Sequence, residues 1–472
     1  MRHSPFIKLS LLIAGSFLFS GLLGAPAFAV TGSEQIIDYT EPDGNVVSAK
    51  VVGDENFNWV ESADDYVIGK GQDKNWYLVE SISGKEKVLG NTRYKDRFKN
   101  RGLATARDKI RSSDIRKEWK KYKNSRAKGS GLQLSSGLQI SDQIISFSDA
   151  AFSSATNVPI IFLLVEFNDR GRTYPASDFA NQLQDMNTFF NTVSNGRGIT
   201  LAATESYSTE DGNDGAVNDG VVGWLALNRN HPNVGGDLTT IVWTIAKEAI
   251  EAADPYVDYS AYDINSDGYV DSNELSVVVI LAGYERSYSN NSPSVWGHKS
   301  AISINPQNWK VDGVNVGKSN GGAGGYAMFG EIHLNHFATI GIMAHELGHL
   351  AYALPDLYDT DGSSNGISIY GLMGAGSWGA RLSGGEYAGQ TPVPPSAWSR
   401  YILGWVDDVH PIGTTDIYNA AHASATEVNT IIRASSISDP DEYFLAEIKR
   451  PTGYNEGLER WLGSNYSGGV MI

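Results

Sequence analysis

The stretch "IMAHELGHLAYALPDLYDTDG", residues 342–362, brings together side chains able to hold and use a metal ion. His345 and His349 stand four apart, so on a helix both imidazoles lie on one face and can reach a single ion. Zinc suits imidazole nitrogen, and with three protein ligands it keeps a position open for water. Glu346 adjoins the first histidine and can act on that water as general base. The metal would lower the water's pKa to roughly 7 and polarise a scissile carbonyl. The bare pattern also fits a helix with two structural histidines beside a surface glutamate, so its surroundings matter.

Those surroundings supply the elements a site needs. "FATIGIMA" upstream is apolar enough for a buried helix, and "YGLMGAGSWG" downstream puts Met373 in a glycine-rich turn. Taken alone, Met373 is an ordinary core methionine. "VPIIFLLVEFND" and "ELSVVVILAGYE" are continuous apolar runs of the kind buried strands need. "ASDFANQLQDMNTFFNTVS" and "DLTTIVWTIAKEAIEAAD" have helical spacing. Residues 158–412 therefore read as an α/β catalytic domain with a central sheet. Residues 413–472 favour short strands, as in "VNTIIRAS" and "EYFLAEIKR". His231, His298, His333 and His336 carry no ligand pattern and are left out of the site.

The amino-terminal part has a different character. Residues 1–29 read as a secretory signal peptide, with Arg2 and Lys8 before an apolar run and Ala27-Phe28-Ala29 as the cleavage pattern, so a secreted protein is expected. Short strand-like runs between 35 and 90 ("NVVSAKVVG", "DDYVIG", "NWYLVESI") precede a basic, helix-like block. That block, Arg93 to Lys128, holds 15 Lys/Arg and 4 Asp/Glu, leaving 22 against 50 elsewhere. A net charge of −17 argues against nucleic-acid and anionic-membrane partners. The basic block instead suits a removable segment that docks on the acidic remainder. The Gly/Ser-rich residues 131–157 then read as a linker and processing region. No later run is apolar enough to span a bilayer, and the chain is expected to be a monomer.

Cysteine is absent, so neither disulfides nor thiolate chemistry are available. Calcium is the expected substitute for a crosslink. "DINSDGYVDSNE" places Asp263, Asn265, Asp267, Asp271 and Glu274 at oxygen-ligand positions, with Tyr269 offering its backbone carbonyl and Gly268 at the sharp turn. A probable strand follows directly, so the ion reads as structural. "TEDGNDGAVNDG" (209–220) matches no ligand template and reads as a solvated loop.

His345-Glu346-x-x-His349, then "LPDLYD", then "GLMGAGSWG", resembles the secreted bacterial metallopeptidases of the immune inhibitor A type, in the metzincin group. "GDENFNWVESADDYVI", similar to that family's propeptide, extends the likeness, as do "VWGHKS", "PPSAWSRYILGW" and "EYFLAEIKR" with the terminal "GGVMI". The resemblance implies a metzincin-like domain with a mixed twisted sheet and an active-site helix. Residues 30–130 would be its propeptide, and Met373 the turn methionine forming an apolar floor under the zinc ligands. It further implies a zinc-dependent endopeptidase, made as a zymogen, that cleaves protein substrates. At "GGVMI" the family continues into further sheet, so a truncated β-rich region is expected.

One departure concerns the third ligand. The family's pattern has a glycine midway and an aspartate at the sixth place after the second histidine. Here Tyr352 and Pro355 fill those places, and "LAYALPD" carries one extra residue. Proline disfavours helix at the residue before it, so the helix should end near Leu354 and let the chain turn back. Asp356 is the first choice for third ligand and Asp359 the second; turn-capping, or a second cation shared with Asp361, are their plainer roles. The shifted spacing also motivates an alternative, a calcium-stabilised exported binding or adhesive protein with a degenerate peptidase domain.

Overall fold

The structure is a computed structural model of the chain. It describes residues 31–472 apart from 55–56, 84–85, 97–109, 118–156, 206–216, 236–239, 303–308, 321–322, 360–363, 407, 412–429 and 436–442. The expected signal peptide, nearly all of the linker, most of the basic block and Asp361 lie outside the described residues, as does the greater part of 209–220. Among the described residues, no helix is long and apolar enough to cross a membrane.

Six antiparallel strands come first: β1 (Ile37–Thr40), β2 (Val46–Gly53), β3 (Asn58–Ser62), β4 (Val67–Lys70), β5 (Trp76–Ser83) and β6 (Glu86–Arg93). Neighbours in sequence are neighbours in the sheet. The basic block contributes a short helical segment at 112–117, and just before it the Arg111 guanidinium stacks 3.6 Å from the Tyr66 ring centre.

The larger, following part of the chain is built on a mixed sheet. β7 (Asn157–Phe167) is central and pairs in parallel with β8 (Ile199–Ala202) and β9 (Val221–Leu227) on one side and β10 (Ser276–Glu285) on the other. β11 (Ser294–Val295) follows β10 in parallel, and β12 (His298–Ser300) forms an antiparallel edge. A small hairpin, β13–β14 (Ser319–Asn320, Ala323–Gly324), leads into β15 (Tyr326–His333), which lies parallel to β10 and antiparallel to β16 (His336–Phe337).

The apolar runs form strands buried on both faces because their side chains alternate between two cores. Ile160, Phe162 and Leu164 join one cluster; Ile161, Leu163 and Val165 join the other. The first cluster receives α1 (Ala176–Ser194) and α3 (Ile340–Leu350), and the second receives α2 (Thr240–Ala253). Asn195, in the left-handed conformation at φ 56°, ends α1.

After α3 the chain runs through glycine-rich turns to α4 (Ala397–Ile402). A four-stranded sheet then forms from β17 (Asp408–Pro411), β18 (Thr430–Ser435), β19 (Tyr443–Lys449) and β20 (Gly469–Met471), with α5 (Glu459–Leu462) between the last two. The molecule is thus a mixed α/β protein flanked by β-rich ends.

Candidate active site

Every residue of α3 is buried, including His345, Glu346 and His349. A helix apolar on all sides belongs in an interior, and "IGIMA" carries the polar residues in with it. His345 directs Nδ1 at the Leu372 carbonyl (2.8 Å), and His349 directs Nδ1 at the Leu354 carbonyl (2.5 Å). A carbonyl oxygen only accepts, so both Nδ1 atoms carry the proton and both Nε2 atoms present lone pairs. Those two nitrogens lie 3.2 Å apart.

Asp356 completes the set, with Oδ1 3.2 Å from Nε2 of His345 and 3.1 Å from Nε2 of His349. Three lone-pair atoms at such distances repel unless a cation sits among them. Ligands on a tetrahedron with bonds of about 2.0 Å lie about 3.3 Å apart, so the donor set fits zinc in both chemistry and spacing. Among the described residues this is the one group of three or more His, Asp or Glu able to share an ion. Burial pushes the Asp356 carboxyl up, but the two imidazoles more than offset it and hold it at about 2. Burial lowers His349, against the pull of Asp356. Asp359 lies outside the group, its carboxylate taking the Ser364 N–H.

The extra residue in "LAYALPD" is absorbed at the end of α3. Ala353 takes the left-handed conformation, φ 51°, one place after Tyr352, where the resemblance put the glycine. The Leu354 N–H reaches back to the Gly348 carbonyl at 2.9 Å, a wider closure than a helix turn, and the Ala353 N–H bonds the His349 carbonyl at 3.1 Å. This carries Asp356 back over the helix. Leu357 N–H then bonds the Met373 carbonyl at 2.8 Å, so adjacent carbonyls, those of Leu372 and Met373, orient one histidine and the third acid.

Met373 is fully buried, and its sulfur lies 2.6 Å from where a Cβ on Gly348 would stand. A side chain there would push the Met373 thioether aside, which gives the glycine in "HELGH" a physical reason. Lys299 on β12 was not picked out by the sequence analysis. In register with Ala327, it sits on the sheet face that α3 covers, where burial lowers its pKa and the Glu346 charge offsets only part of that. Tyr358 stacks on His345 with ring centres 6.4 Å apart.

The four omitted histidines stay outside the metal group. His298 is buried and bonds the Trp296 carbonyl (2.7 Å), and His333 stacks on Tyr288. His336 lies in β16 and stacks on Tyr387, so it does not extend α3. His231 accepts the Asn233 N–H through Nδ1.

In the Asp263–Glu274 loop the acids hold their own backbone. Asp263 accepts the Asp267 and Gly268 N–H groups (both 3.0 Å), and Asn265 accepts that of Asp267 (2.8 Å). Asp267 accepts from Tyr269, while Glu274 accepts from Ile264, Asn265 and Asp271. Gly268, at φ 83°, makes the turn as read from sequence. The loop's acids form no group close enough to count as a metal site.

Two buried imidazoles and a carboxylate within 3.2 Å of one another, beside a buried glutamate, form a group able to hold a metal ion, as the class of metallopeptidases requires. Residues 160–406, just over half of the chain, match the family of the immune inhibitor A peptidase M6 catalytic domain. The chain belongs to that family, and it is a metallopeptidase hydrolase acting on protein substrates. No curated protein matches the chain.

Proposed function

We propose that the chain is a secreted, zinc-dependent endopeptidase with a metzincin-like domain, made as a zymogen and stabilised by calcium. The observation that carries this reading is the convergence of His345, His349 and Asp356 at 3.1 to 3.2 Å in a chain of this peptidase family. Zinc held there would act as a Lewis acid on the scissile carbonyl and lower the pKa of water to about 7. Glu346 takes the proton from the attacking water and passes it to the leaving amine nitrogen. The Leu372 and Leu354 carbonyls keep both imidazoles turned with Nε2 inward. Met373, wedged against Gly348, serves as the floor beneath them.

Asp356 meets both imidazoles despite its displaced position, which favours an intact site over a degenerate domain with a binding role. Calcium at Asp263–Glu274 would draw ligand oxygens together and fix the start of β10. Signal cleavage after Ala29 and a cut between Lys128 and Val158 complete the route to the mature form. The test is cleavage of casein by the processed protein with and without a chelator. Activity should vanish with chelation and return with zinc; activity indifferent to chelation would defeat the proposal.

A further inference from the structure

The boundary between the amino-terminal sheet and the catalytic domain is built like a core. Ser33, 3% exposed, donates its N–H to the Ser287 carbonyl (2.8 Å) and its hydroxyl to the Tyr288 carbonyl (3.1 Å). The Ser33 carbonyl accepts from Arg460 of α5 at 2.7 Å, so the two ends of the described chain meet there. Arg460 also donates to the Trp378 carbonyl (2.7 Å), and the Trp378 indole donates to the Thr31 carbonyl (2.9 Å). Farther along, the Asn290 N–H donates to the Tyr39 hydroxyl at 3.0 Å. Val51 of β2 and Trp296, just before β12, are both fully buried and form a cluster of their own.

Apolar packing is continuous across this boundary. Ile37, Tyr39, Val47 and Trp76 belong to the same buried cluster as Leu347, Met373 and Trp378. Interfaces between domains that move or part are ordinarily smaller and more polar. Lifting the sheet away would bare Trp296 and Trp378. It would also cost Arg460, whose pKa burial already lowers to about 10, one of its two carbonyl acceptors, leaving only that of Trp378. A cation that burial already disfavours loses stability with each acceptor removed.

We propose that the six-stranded sheet is a permanent part of the mature peptidase, remaining seated after the chain is cut between residues 128 and 158 and bracing the turn beneath the metal ligands. The cut rests on the zymogen reading above; the retention does not. Trp378, which takes the Thr31 carbonyl, closes the short 3-10 turn Ala375–Trp378 that follows Met373. A segment called a propeptide from its sequence thus divides in two: a connection that is severed and a sheet that stays.

The experiment uses the full chain with a recognition sequence for a site-specific protease inserted after Lys128. After complete cutting, verified by mass spectrometry, the sample is run on native gel filtration and then across a urea series. The fragment holding residues 31–96 should co-elute with the catalytic fragment and part from it only as that fragment unfolds. A sheet fragment that elutes alone while the catalytic fragment keeps its zinc and circular dichroism would overturn the proposal. In Arg460→Met, checked for native circular dichroism before cutting, the sheet fragment should leave at lower urea. Release at unchanged urea would remove the Arg460 contact as a cause and contradict the argument. Lost casein cleavage with intact co-elution would sink the peptidase mechanism and leave this inference standing.

Discussion

The candidate metal centre and the acidic loop Asp263–Glu274 were both read from short patterns of acids and histidines, yet they are organised differently. In the first, α3 is wholly buried, and backbone carbonyls set the imidazoles so that three ligand atoms already lie within 3.2 Å. In the second, the side-chain oxygens of Asp263, Asn265, Asp267 and Glu274 accept from the loop's own N–H groups. A helix held in a core preorganises its ligands before any ion arrives. A loop takes its shape from its own amides and leaves the final gathering to the ion. Losing metal should therefore inactivate the first region without unfolding it, and should loosen the second.

The largest effect is expected at the third ligand. Asp356→Ala should lose zinc on dialysis, by more than the roughly 10–100-fold that removing a supporting hydrogen bond costs. Asp359→Ala should keep its zinc, because Asp359 stands outside the converging set. Metal content of the two proteins by atomic emission decides, and unchanged zinc in Asp356→Ala removes that residue from the site.

Next in size is calcium. An ion at about 100 times its dissociation constant stabilises by about 2.7 kcal/mol, a shift of several degrees in Tm for a domain this large. Calorimetry in excess calcium and in a calcium-selective chelator, at fixed zinc, should show that shift. Asp263→Ala should abolish it. Equal Tm values in the unmodified protein would leave the loop as a turn held by its own amides.

The smallest effect is expected at the end of α3. Left-handed backbone costs a residue with a Cβ about 1–2 kcal/mol, and glycine gives back about 0.5–1 through its freer unfolded state. Ala353→Gly should therefore gain about 0–1.5 kcal/mol in urea unfolding, with zinc content unchanged. A loss of stability above about 1 kcal/mol would mean that the Ala353 methyl holds the turn.

The periodic elements were legible because periodicity is local. "ASDFANQLQDMNTFFNTVS" forms α1 from end to end, and the two apolar runs became the central β7 and β10. His345 and His349 were legible for the same reason, since a helix alone puts them on one face. Asp356 was harder. Its reach depends on Ala353 adopting a conformation that alanine seldom takes and on a closure to Gly348, and neither leaves a mark in composition.

Lys299 was invisible because its nearness to Glu346 comes from strand pairing between distant parts of the chain. The seating of the amino-terminal sheet was missed on the same ground. Ser33 meets Arg460 only through the complete fold, while the basic composition farther on drew attention to a removable segment.

The central claim is that Glu346 moves the proton at a site whose metal is held by other residues. Its most direct test is the rate of casein cleavage by Glu346→Ala, measured at verified zinc content against the unmodified protein. The account predicts full zinc and a rate lower by about 10²–10⁴-fold, the usual worth of a positioned general base. Undiminished cleavage by zinc-loaded Glu346→Ala would contradict it.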